Sequence, residues 1–255
     1  MLATSLSLMG DLASLTGRPG LRHHVLGLAE PTSVREALAS LGVPHTEVDL
    51  VLLGGLPVGF GHRVRDADRF EVYPVPSAAE DAAGRLAWPE GRLQSRPLWR
   101  ERFVCDRHLG RLARLLRLLG FDTLYDDTWT EAQIAQAAAD GRAVLTCGRA
   151  LLKRRAVTVG RLLRSRDTDQ QALEVIRRFG LTGRERPFAR CNRCNGELRP
   201  VPKTTVAVRV PQRTRAWCDD YFLCAGCDHL YWRGTHVARM QEHFAALFEG
   251  SKEEA

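Results

Sequence analysis

The sequence predicts an α/β protein made of three consecutive units. Residues 1–76 combine short apolar strands with one short helix, which is the pattern of a small α+β unit. Residues 100–186 repeat strand and helix in turn, which favours a parallel sheet covered on both faces. Residues 187–255 carry two CxxC pairs and end in an amphipathic helical segment. Residues 77–99, rich in Ala, Pro, Glu and Gly, predict a linker.

Basic charge is concentrated in the middle of the chain. The 255 residues have a formal net charge of +7. Residues 97–190 hold 19 basic and 11 acidic side chains, a net charge of +8, whereas the segments on either side are close to neutral. A basic segment of this kind favours a polyanionic partner such as nucleic acid. The alternative is an ordinary solvated surface rich in arginine.

Neither end of the chain nor its apolar runs predict a membrane protein. The first 15 residues lack a basic residue before their apolar stretch and include Asp11, so they do not have the pattern of a signal peptide. The longest apolar run, Val48–Phe60, is too short and too broken by Gly and Pro to span a bilayer. We therefore expect a cytoplasmic protein with no membrane partner. Seven cysteines in such a chain favour metal binding over disulfides.

Turn and capping signals define the elements of the first unit. Thr32 or Ser33 is a good N-cap for a short helix that ends at Gly42. Gly54-Gly55 lies between two apolar runs and predicts a hairpin. The predicted elements are the strand LRHHVLGL, the helix VREALASLG, the two hairpin strands of VDLVLLGGLPVGF and a last strand in RDADRFEVYPV.

The second unit opens with the apolar strand FVCD, which ends at Asp106. An aspartate there is either a helix N-cap or a functional acid at the carboxyl edge of a parallel sheet. On the helix that follows, leucines fall on one side and Arg107, Arg111, Arg114 and Arg117 on the other. The later predicted elements are the strand DTLY, the helix TEAQIAQAAADG, the strand RAVLTC, the helix RALLKRR, the strand RLLRS and the helix DTDQQALEVIRRFG.

Two CxxC pairs predict a metal site in the third unit. Each pair places two thiolates on one tight turn, and two such turns make a tetrahedral four-thiolate site that suits structural zinc. Two unrelated thiol pairs, or a redox couple, are the alternatives. The predicted zinc ligands are Cys191, Cys194, Cys224 and Cys227.

Other residues of the third unit carry weaker signals. Residues 204–210, TTVAVRV, are strand-like and predict part of a hairpin. Cys218 is expected to be a buried thiol or a substitute ligand, and His229 and His236 to be groups around the site. Two further cysteines, in the second unit, are expected to be small core residues of strands: Cys105 and Cys147.

An ordered series of motifs resembles one family. It comprises CDRHLGRLARLLRLLGFDTLYDD, GRAVLTCGRALLKRR, RSRDTDQQ and the CxxC pairs that end in CAGCDHLYWRGTH. Over residues 102–240 the chain resembles the Mut-7 C-terminal family, a PIN-like ribonuclease domain with a zinc ribbon. The stretches VREALASLGVPHTEVDLVLLGGLPVGF and RVRDADRFEVYPV resemble the ubiquitin-like β-grasp domain that often precedes it. The resemblance implies a β-grasp domain, a PIN-like α/β/α sandwich and a zinc ribbon.

The resemblance also implies a metal-dependent ribonuclease. In this family acids at the ends of the strands hold Mg²⁺ or Mn²⁺, which activates water for phosphodiester hydrolysis. Asp106 matches the family's first-strand aspartate, and Glu131 and Asp167 match further acidic positions. For Glu131 the alternative is a first-turn acid that interacts with the helix dipole, and for Asp167 it is an N-cap.

One position departs from the family pattern. The third strand of the family usually ends in Thr-Arg-Asp-Arg, whereas this chain has Thr146-Cys147-Gly148-Arg149. Glycine offers no metal ligand, so the departure puts catalysis in doubt. The alternative function is therefore an RNA-binding protein that does not cleave.

Basic residues around the predicted acid site are expected to contact RNA phosphates, because contacts to the backbone dominate affinity for nucleic acids. Each of them alone is more simply a solvated side chain. The predicted RNA-binding residues are Arg107, Arg111, Arg114, Arg149, Lys153 and Arg154.

The β-grasp resemblance does not predict a sulfur carrier or a modifier, since these end in a free Gly-Gly and the last strand here continues into EVYPVPSAAED. A docking role remains, with a protein partner that the sequence does not specify. A scaffold that uses only this docking surface and binds no RNA is a further alternative.

Overall fold

The computed structural model describes residues 2–29, 31–83, 90–95 and 100–234. The first unit contains strands β1 (Leu2–Leu8), β2 (His23–Leu28), β3 (Val48–Leu53), β4 (Leu56–Pro57) and β5 (Arg69–Pro74) and helix α1 (Val34–Ser40). A short helix, α2 (Ala78–Ala82), follows within the segment predicted to be a linker. The strands form one sheet in the order β2-β1-β5-β3-β4, in which β1 and β5 are parallel and the other pairs antiparallel. This is the β-grasp architecture that the sequence predicts.

Local signals explain most of these elements. A capping box between Ser33 and Glu36 starts α1. Gly54 and Gly55 both have positive φ, as the two-residue hairpin turn between β3 and β4 requires. Strand β1 is an addition to the predicted elements, and its alternate residues Thr4, Leu6 and Leu8 are buried.

The second unit is a four-stranded parallel sheet in the order β7-β6-β8-β9. Helices α3 and α6 cover one face, where Phe103 and Leu145 lie in a common core with Phe179. The other face, with Val104 and Val144, belongs to a second core. Its elements are β6 (Arg102–Cys105), α3 (Gly110–Leu118), β7 (Asp122–Leu124), α4 (Glu131–Ala137), β8 (Ala143–Thr146), α5 (Arg149–Lys153), β9 (Gly160–Leu162) and α6 (Thr168–Phe179).

The first and second units share a core. Leu38 of α1 and Val51 of β3 lie in the same apolar cluster as Val144 and Leu152 of the second unit. The edge strand β9 faces the short 3₁₀ helix His45–Glu47 of the first unit. The β-grasp unit therefore completes the covering of the parallel sheet, a role that the sequence pattern does not predict.

The third unit is a three-stranded antiparallel sheet in the order β10-β11-β12. Its elements are β10 (Leu198–Val201), α7 (Lys203–Val206), α8 (Gln212–Arg215), β11 (Tyr221–Cys224) and β12 (Leu230–Trp232). The strand prediction for residues 204–210 is wrong: α7 and a 3₁₀ turn occupy this segment. Burial of Val206 and Val210 against Tyr221 explains the difference, because tertiary packing overrides the β propensity of valine.

Within the described ranges, no helix has both the length and the apolar character needed to cross a bilayer. The predicted C-terminal helix and His236 lie outside the described residues.

Candidate functional site

Asp106 lies at the carboxyl edge of the parallel sheet, directly after β6, and is 8 % exposed. Its Oδ1 accepts a hydrogen bond from the backbone N–H of His108 at 2.8 Å. Its Oδ2 accepts from the hydroxyl of Thr146 and from the N–H of Cys147. Thr146 is the last residue of the adjacent strand β8, and Cys147 follows it. Asp106 therefore joins the ends of β6 and β8. It is not the N-cap of α3, which is Leu109.

Cys147 and Gly148 form the loop between β8 and α5. The prediction that Cys147 is a core residue is wrong: the strand ends at Thr146, and Cys147 is exposed at the sheet edge. Partial burial and the nearby charges of Asp106 and Glu174 raise the pKa of its thiol, which disfavours a thiolate. Cys105, in contrast, is fully buried in β6, as predicted.

Gly148 has ordinary extended backbone angles, φ −106° and ψ 133°. A Cβ added there would lie 3.6 Å from Thr146 Oγ1, its nearest neighbour outside the adjoining residues. The position therefore has room for an aspartate, and nothing in the backbone demands glycine.

The other two predicted acids make different contacts. Glu131 begins α4, is exposed, and forms an ion pair with Arg154 at 3.1 Å. Asp167 is the N-cap of α6 and accepts hydrogen bonds from the N–H groups of Asp169 and Gln170, which confirms the capping interpretation. Among the described residues, these acids do not form a cluster of ligands with Asp106. Their catalytic role stays a prediction.

Five of the six predicted RNA-binding residues fall into two groups, and the sixth, Arg149, is exposed at the start of α5. Lys153 and Arg154 on or next to α5 are engaged by protein, because Lys153 donates to the carbonyl of Ala39 at 2.7 Å and Arg154 pairs with Glu131. The exposed arginines of the α3 side have no carboxylate within ion-pair distance in the described part of the chain. This second group comprises Arg107, Arg111 and Arg114.

The prediction that Arg117 shares the exposed basic face is wrong. Arg117 is 4 % exposed, and its guanidinium donates to the backbone carbonyls of Thr123, Asn192 and Arg193. Steps of three residues advance about 300° around an α-helix, so a row of such residues drifts by about 60° at each step. Arg117 is two such steps beyond Arg111, so its side chain has turned away from solvent and towards the third unit.

The four cysteine sulfurs lie close together in the third unit. Cys191 and Cys194 come from the loop before β10, and Cys224 and Cys227 from the end of β11 and the turn that follows it. All four lie within 4.8 Å of one another, with Cys191–Cys227 at 3.7 Å and Cys194–Cys224 at 3.4 Å between sulfurs. An ion with Zn–S bonds of about 2.3 Å holds its sulfurs about 3.8 Å apart. The donor set and its spacing thus fit one tetrahedral zinc ion with no open position. Cys218 is a buried thiol that lies apart from this group, as one of the two predictions for it states.

Hydrogen bonds prepare one of these thiols for metal. Burial alone would raise the pKa of Cys191, but the hydrogen bond between its sulfur and the Tyr231 hydroxyl, at 3.1 Å, and those from the N–H groups of Cys194 and Arg193 lower this pKa to about 6. Zinc binds the thiolate form. Tyr231 is therefore part of the site. It follows Cys227 by only four residues, and the sequence analysis did not single it out.

Asn195 fixes the loop that carries Cys191 and Cys194 to the parallel sheet. Its Oδ1 accepts a hydrogen bond from the N–H of Thr123 at 2.9 Å, and its Nδ2 donates to Asp122 Oδ1 at 2.7 Å. Both partners lie on the edge strand β7. Together with Arg117, this asparagine makes the third unit an attachment of the second, which the sequence analysis missed. The only sequence signal was an asparagine directly after a CxxC pair.

Among the residues that the structure describes, those around Asp106 do not form a complete site for Mg²⁺ or Mn²⁺. One buried carboxylate is present, and its oxygens already accept three hydrogen bonds. Mg²⁺ commonly takes one or two carboxylates and completes its shell with water and substrate phosphate. The edge of the sheet is therefore suited to an ion that binds together with a phosphodiester, and it is not suited to one held by protein alone.

Comparison with known families identifies the chain. A family model described as the Mut7-C RNAse domain matches residues 101–244, which is more than half of the sequence. The chain belongs to the Mut7-C family. A second model of the same family, Mut7-C ubiquitin, matches residues 20–80 of this Mut7-C protein and covers most of the β-grasp unit.

Individual relatives match parts of this Mut7-C chain. The exonuclease mut-7 homolog of Homo sapiens is 35 % identical over 147 residues, which are 52 % of this chain and 17 % of the human protein. Two crystal structures of small archaeal modifier protein 1 from Haloferax volcanii are 19 % and 20 % identical. They cover 29 % and 28 % of this chain and 98 % and 93 % of their own, each with a TM-score of 0.24.

Proposed function

We propose that this Mut7-C protein is a ribonuclease that hydrolyses RNA phosphodiester bonds with the help of Mg²⁺ or Mn²⁺, and that Asp106 is its central catalytic residue. The observation that carries the proposal is the position of Asp106 at the carboxyl edge of the parallel sheet, inside the segment that the RNAse-domain model matches. That edge is where α/β folds place their active sites. The description of the human relative as an exonuclease supports a nuclease.

The chain's own residues would orient the substrate. Thr146 and the N–H groups of His108 and Cys147 fix the carboxylate of Asp106, so that it presents a constant geometry to the reacting phosphate. Arg107 follows β6 and Arg149 follows β8 after two residues, and both are exposed at the same edge. A divalent ion, when bound, supplies a water of lowered pKa and neutralises phosphate charge.

A second candidate is an RNA-binding protein without nuclease activity. Three observations favour it: Gly148 offers no carboxylate, Glu131 is neutralised by Arg154, and Asp167 caps α6. Under this proposal the basic surface binds RNA, and Asp106 serves only to join β6 and β8.

We further propose that the four-cysteine cluster holds a structural zinc ion. Support comes from the sulfur spacing and from the absence of an open ligand position among the described residues. A protein partner at the β-grasp unit and a cytoplasmic location stay predictions.

Cleavage of end-labelled single-stranded RNA and transfer RNA by the zinc-loaded full chain separates the two candidates. The assay is run with Mn²⁺, with Mg²⁺ and without either ion, and Asp106→Asn is compared with Asp140→Asn, an exposed acid before β8 at the opposite edge of the sheet. A nuclease should need the ion and lose at least about a hundredfold in rate in Asp106→Asn only. RNA binding without cleavage by the folded wild-type protein would reject the nuclease proposal.

A further inference from the structure

Helix α3 connects the Asp106 edge of the sheet to the zinc-binding loop. Its N-terminal end follows Asp106 and Arg107, and its last turn carries Arg117. The Arg117 guanidinium donates to the backbone carbonyls of Asn192, at 3.3 Å, and Arg193, at 3.0 Å. These two residues lie between the ligands Cys191 and Cys194, so the zinc-binding loop is held against the end of α3.

This arrangement extends the exposed arginines of α3 by one more cation. Arg193 is exposed, and its guanidinium contacts His229 at 3.1 Å rather than a carboxylate. In the described part of the chain, no acid lies within ion-pair distance of Arg107, Arg111, Arg114 or Arg193. Arg107, Arg111 and Arg114 thus follow Asp106 along the α3 side without an acidic partner, and Arg193 lies on the zinc-binding loop, which contacts the last turn of this helix.

The cations on the other side of Asp106 are arranged differently. Lys153 donates to Ala39, and Arg154 pairs with Glu131. Arg149 lies against the β-grasp unit, where its Nη1 would be 3.9 Å from a Cβ placed on Gly42. Lys153 and Arg154 thus have partners in the protein, and Arg149 lies beside the β-grasp unit, whereas the exposed arginines of the α3 side have no acidic partner in the described part of the chain.

We propose that single-stranded RNA lies along α3 and that Arg107, Arg111, Arg114 and Arg193 contact its phosphates. The zinc-binding loop then forms the far end of the RNA path, and Arg117 is a positioning residue that fixes Arg193 without touching RNA. The inference rests on the proposed RNA-directed function. It adds the direction of the bound strand and a role for the third unit.

RNA is favoured over an acidic protein by the spacing and type of these groups. Arginines along one side of a helix, without apolar anchors between them, suit a regular chain of phosphates. A protein interface would concentrate apolar and aromatic side chains at its centre. The exposed tryptophan of the third unit, Trp217, lies elsewhere, close to Trp232 and Gly234.

The test is the salt dependence of RNA binding by the zinc-loaded full chain, measured by fluorescence anisotropy with a labelled single-stranded oligonucleotide and no added Mg²⁺ or Mn²⁺. For single strands, each phosphate contact contributes about −0.7 to the slope of log K against log salt concentration. Arg111→Gln and Arg193→Gln should each reduce the slope by about 0.7 and weaken binding several-fold at low salt. The matched control is Arg213→Gln. Arg213 is an exposed arginine of α8, outside the proposed RNA path, because α8 precedes the Tyr221 end of β11 and the cysteine cluster lies at the Cys224 end.

Arg117→Gln should lower the slope as Arg193→Gln does, although Arg117 is buried, and thermal melting will show whether this variant folds. If it does not fold, Arg193→Gln alone decides. If the wild-type protein binds RNA with a salt-dependent affinity and both Arg111→Gln and Arg193→Gln keep its slope, the RNA path along α3 is rejected. RNA binding as a function is then retained. Absence of salt-dependent binding by the wild type would reject the proposed function as well. Equal competition by an acidic peptide would reject RNA in favour of a protein ligand.

Discussion

Glu47 of the β-grasp unit and Arg161 of the parallel sheet form an ion pair across the two units, with 2.7 Å between Oε2 and Nη1. The second carboxylate oxygen of Glu47 accepts a hydrogen bond from the N–H of Leu162, also at 2.7 Å. Glu47 is 3 % exposed and the Arg161 side chain 15 %. The Glu47 carboxylate therefore satisfies a backbone N–H of the edge strand β9, which among the described residues has no neighbouring strand on that side.

Removal of this carboxylate should destabilise both units together. Glu47→Ala leaves the Leu162 N–H without its partner and the Arg161 charge with only the longer contact to Glu174, at 4.0 Å. We expect the free energy of unfolding to fall by about 3 kcal/mol. Urea unfolding followed by fluorescence will measure it. Asp11→Ala is the control, because Asp11 pairs with Arg164 across the same two units at the surface and should cost less than about 1 kcal/mol. Equal effects of the two variants would contradict the prediction.

His45 should make the stability of the protein depend on pH. Burial, and to a lesser extent the charge of Arg35, lowers the pKa of His45 to about 4, although its Nε2–H donates to the carbonyl of Val157. Between the unfolded pKa of about 6.5 and the folded value, the unfolded chain binds a proton that the folded chain does not. Stability should therefore be complete above pH 6.5 and fall as the pH drops towards 4.

The measurement is the melting temperature of wild type and His45→Gln from pH 7.5 to 4. Glutamine can keep a donor for the Val157 carbonyl, so it serves as a neutral replacement. The variant should lose less stability than the wild type between pH 6.5 and 4. Parallel curves would show that His45 does not titrate in this way.

Gly148→Asp should raise ribonuclease activity. The backbone at this position accepts any residue, and a Cβ has space beside Thr146. A second carboxylate next to Asp106 would give a divalent ion a second ligand and raise its affinity. Cleavage rates at a series of Mn²⁺ concentrations will show this as a lower half-saturating concentration and a higher rate.

Gly148→Asn is the matched control for that experiment, since it adds the same volume without the charge. If aspartate and asparagine have equal effects on the rate and on the ion requirement, the missing acid does not limit the activity of this chain.

Loss of the zinc ion should loosen strand β7. The loop that carries Cys191 and Cys194 also carries Asn195, which pairs with the Thr123 N–H, and the carbonyls to which Arg117 donates. Hydrogen exchange of the Cys224→Ser protein should therefore increase in β7 and in the last turn of α3. The strands of the β-grasp unit provide the internal control. Unchanged protection in β7 would show that the loop stays in place without metal.

Local chemistry made most elements of this fold readable from the sequence. The capping box of α1, the Gly-Gly hairpin and the Asp167 cap each act within a few residues, so neighbouring residues predict them. The strand ending at Asp106 and the four cysteines were predicted for the same reason. Residues 204–210 were mistaken for a strand because burial of Val206 and Val210 outweighs their local preference.

The sequence by itself determined the alternation of strands and helices, the four cysteines of the predicted metal site and the acid at the end of β6, since each depends on spacing along the chain. Only the tertiary structure decided that Cys147 is exposed, that Arg117 turns inward to the loop between Cys191 and Cys194, and that the β-grasp unit covers one face of the parallel sheet. The reason is physical: these contacts join residues far apart in the sequence, and their stability comes from burial and from hydrogen bonds that form only when the units meet.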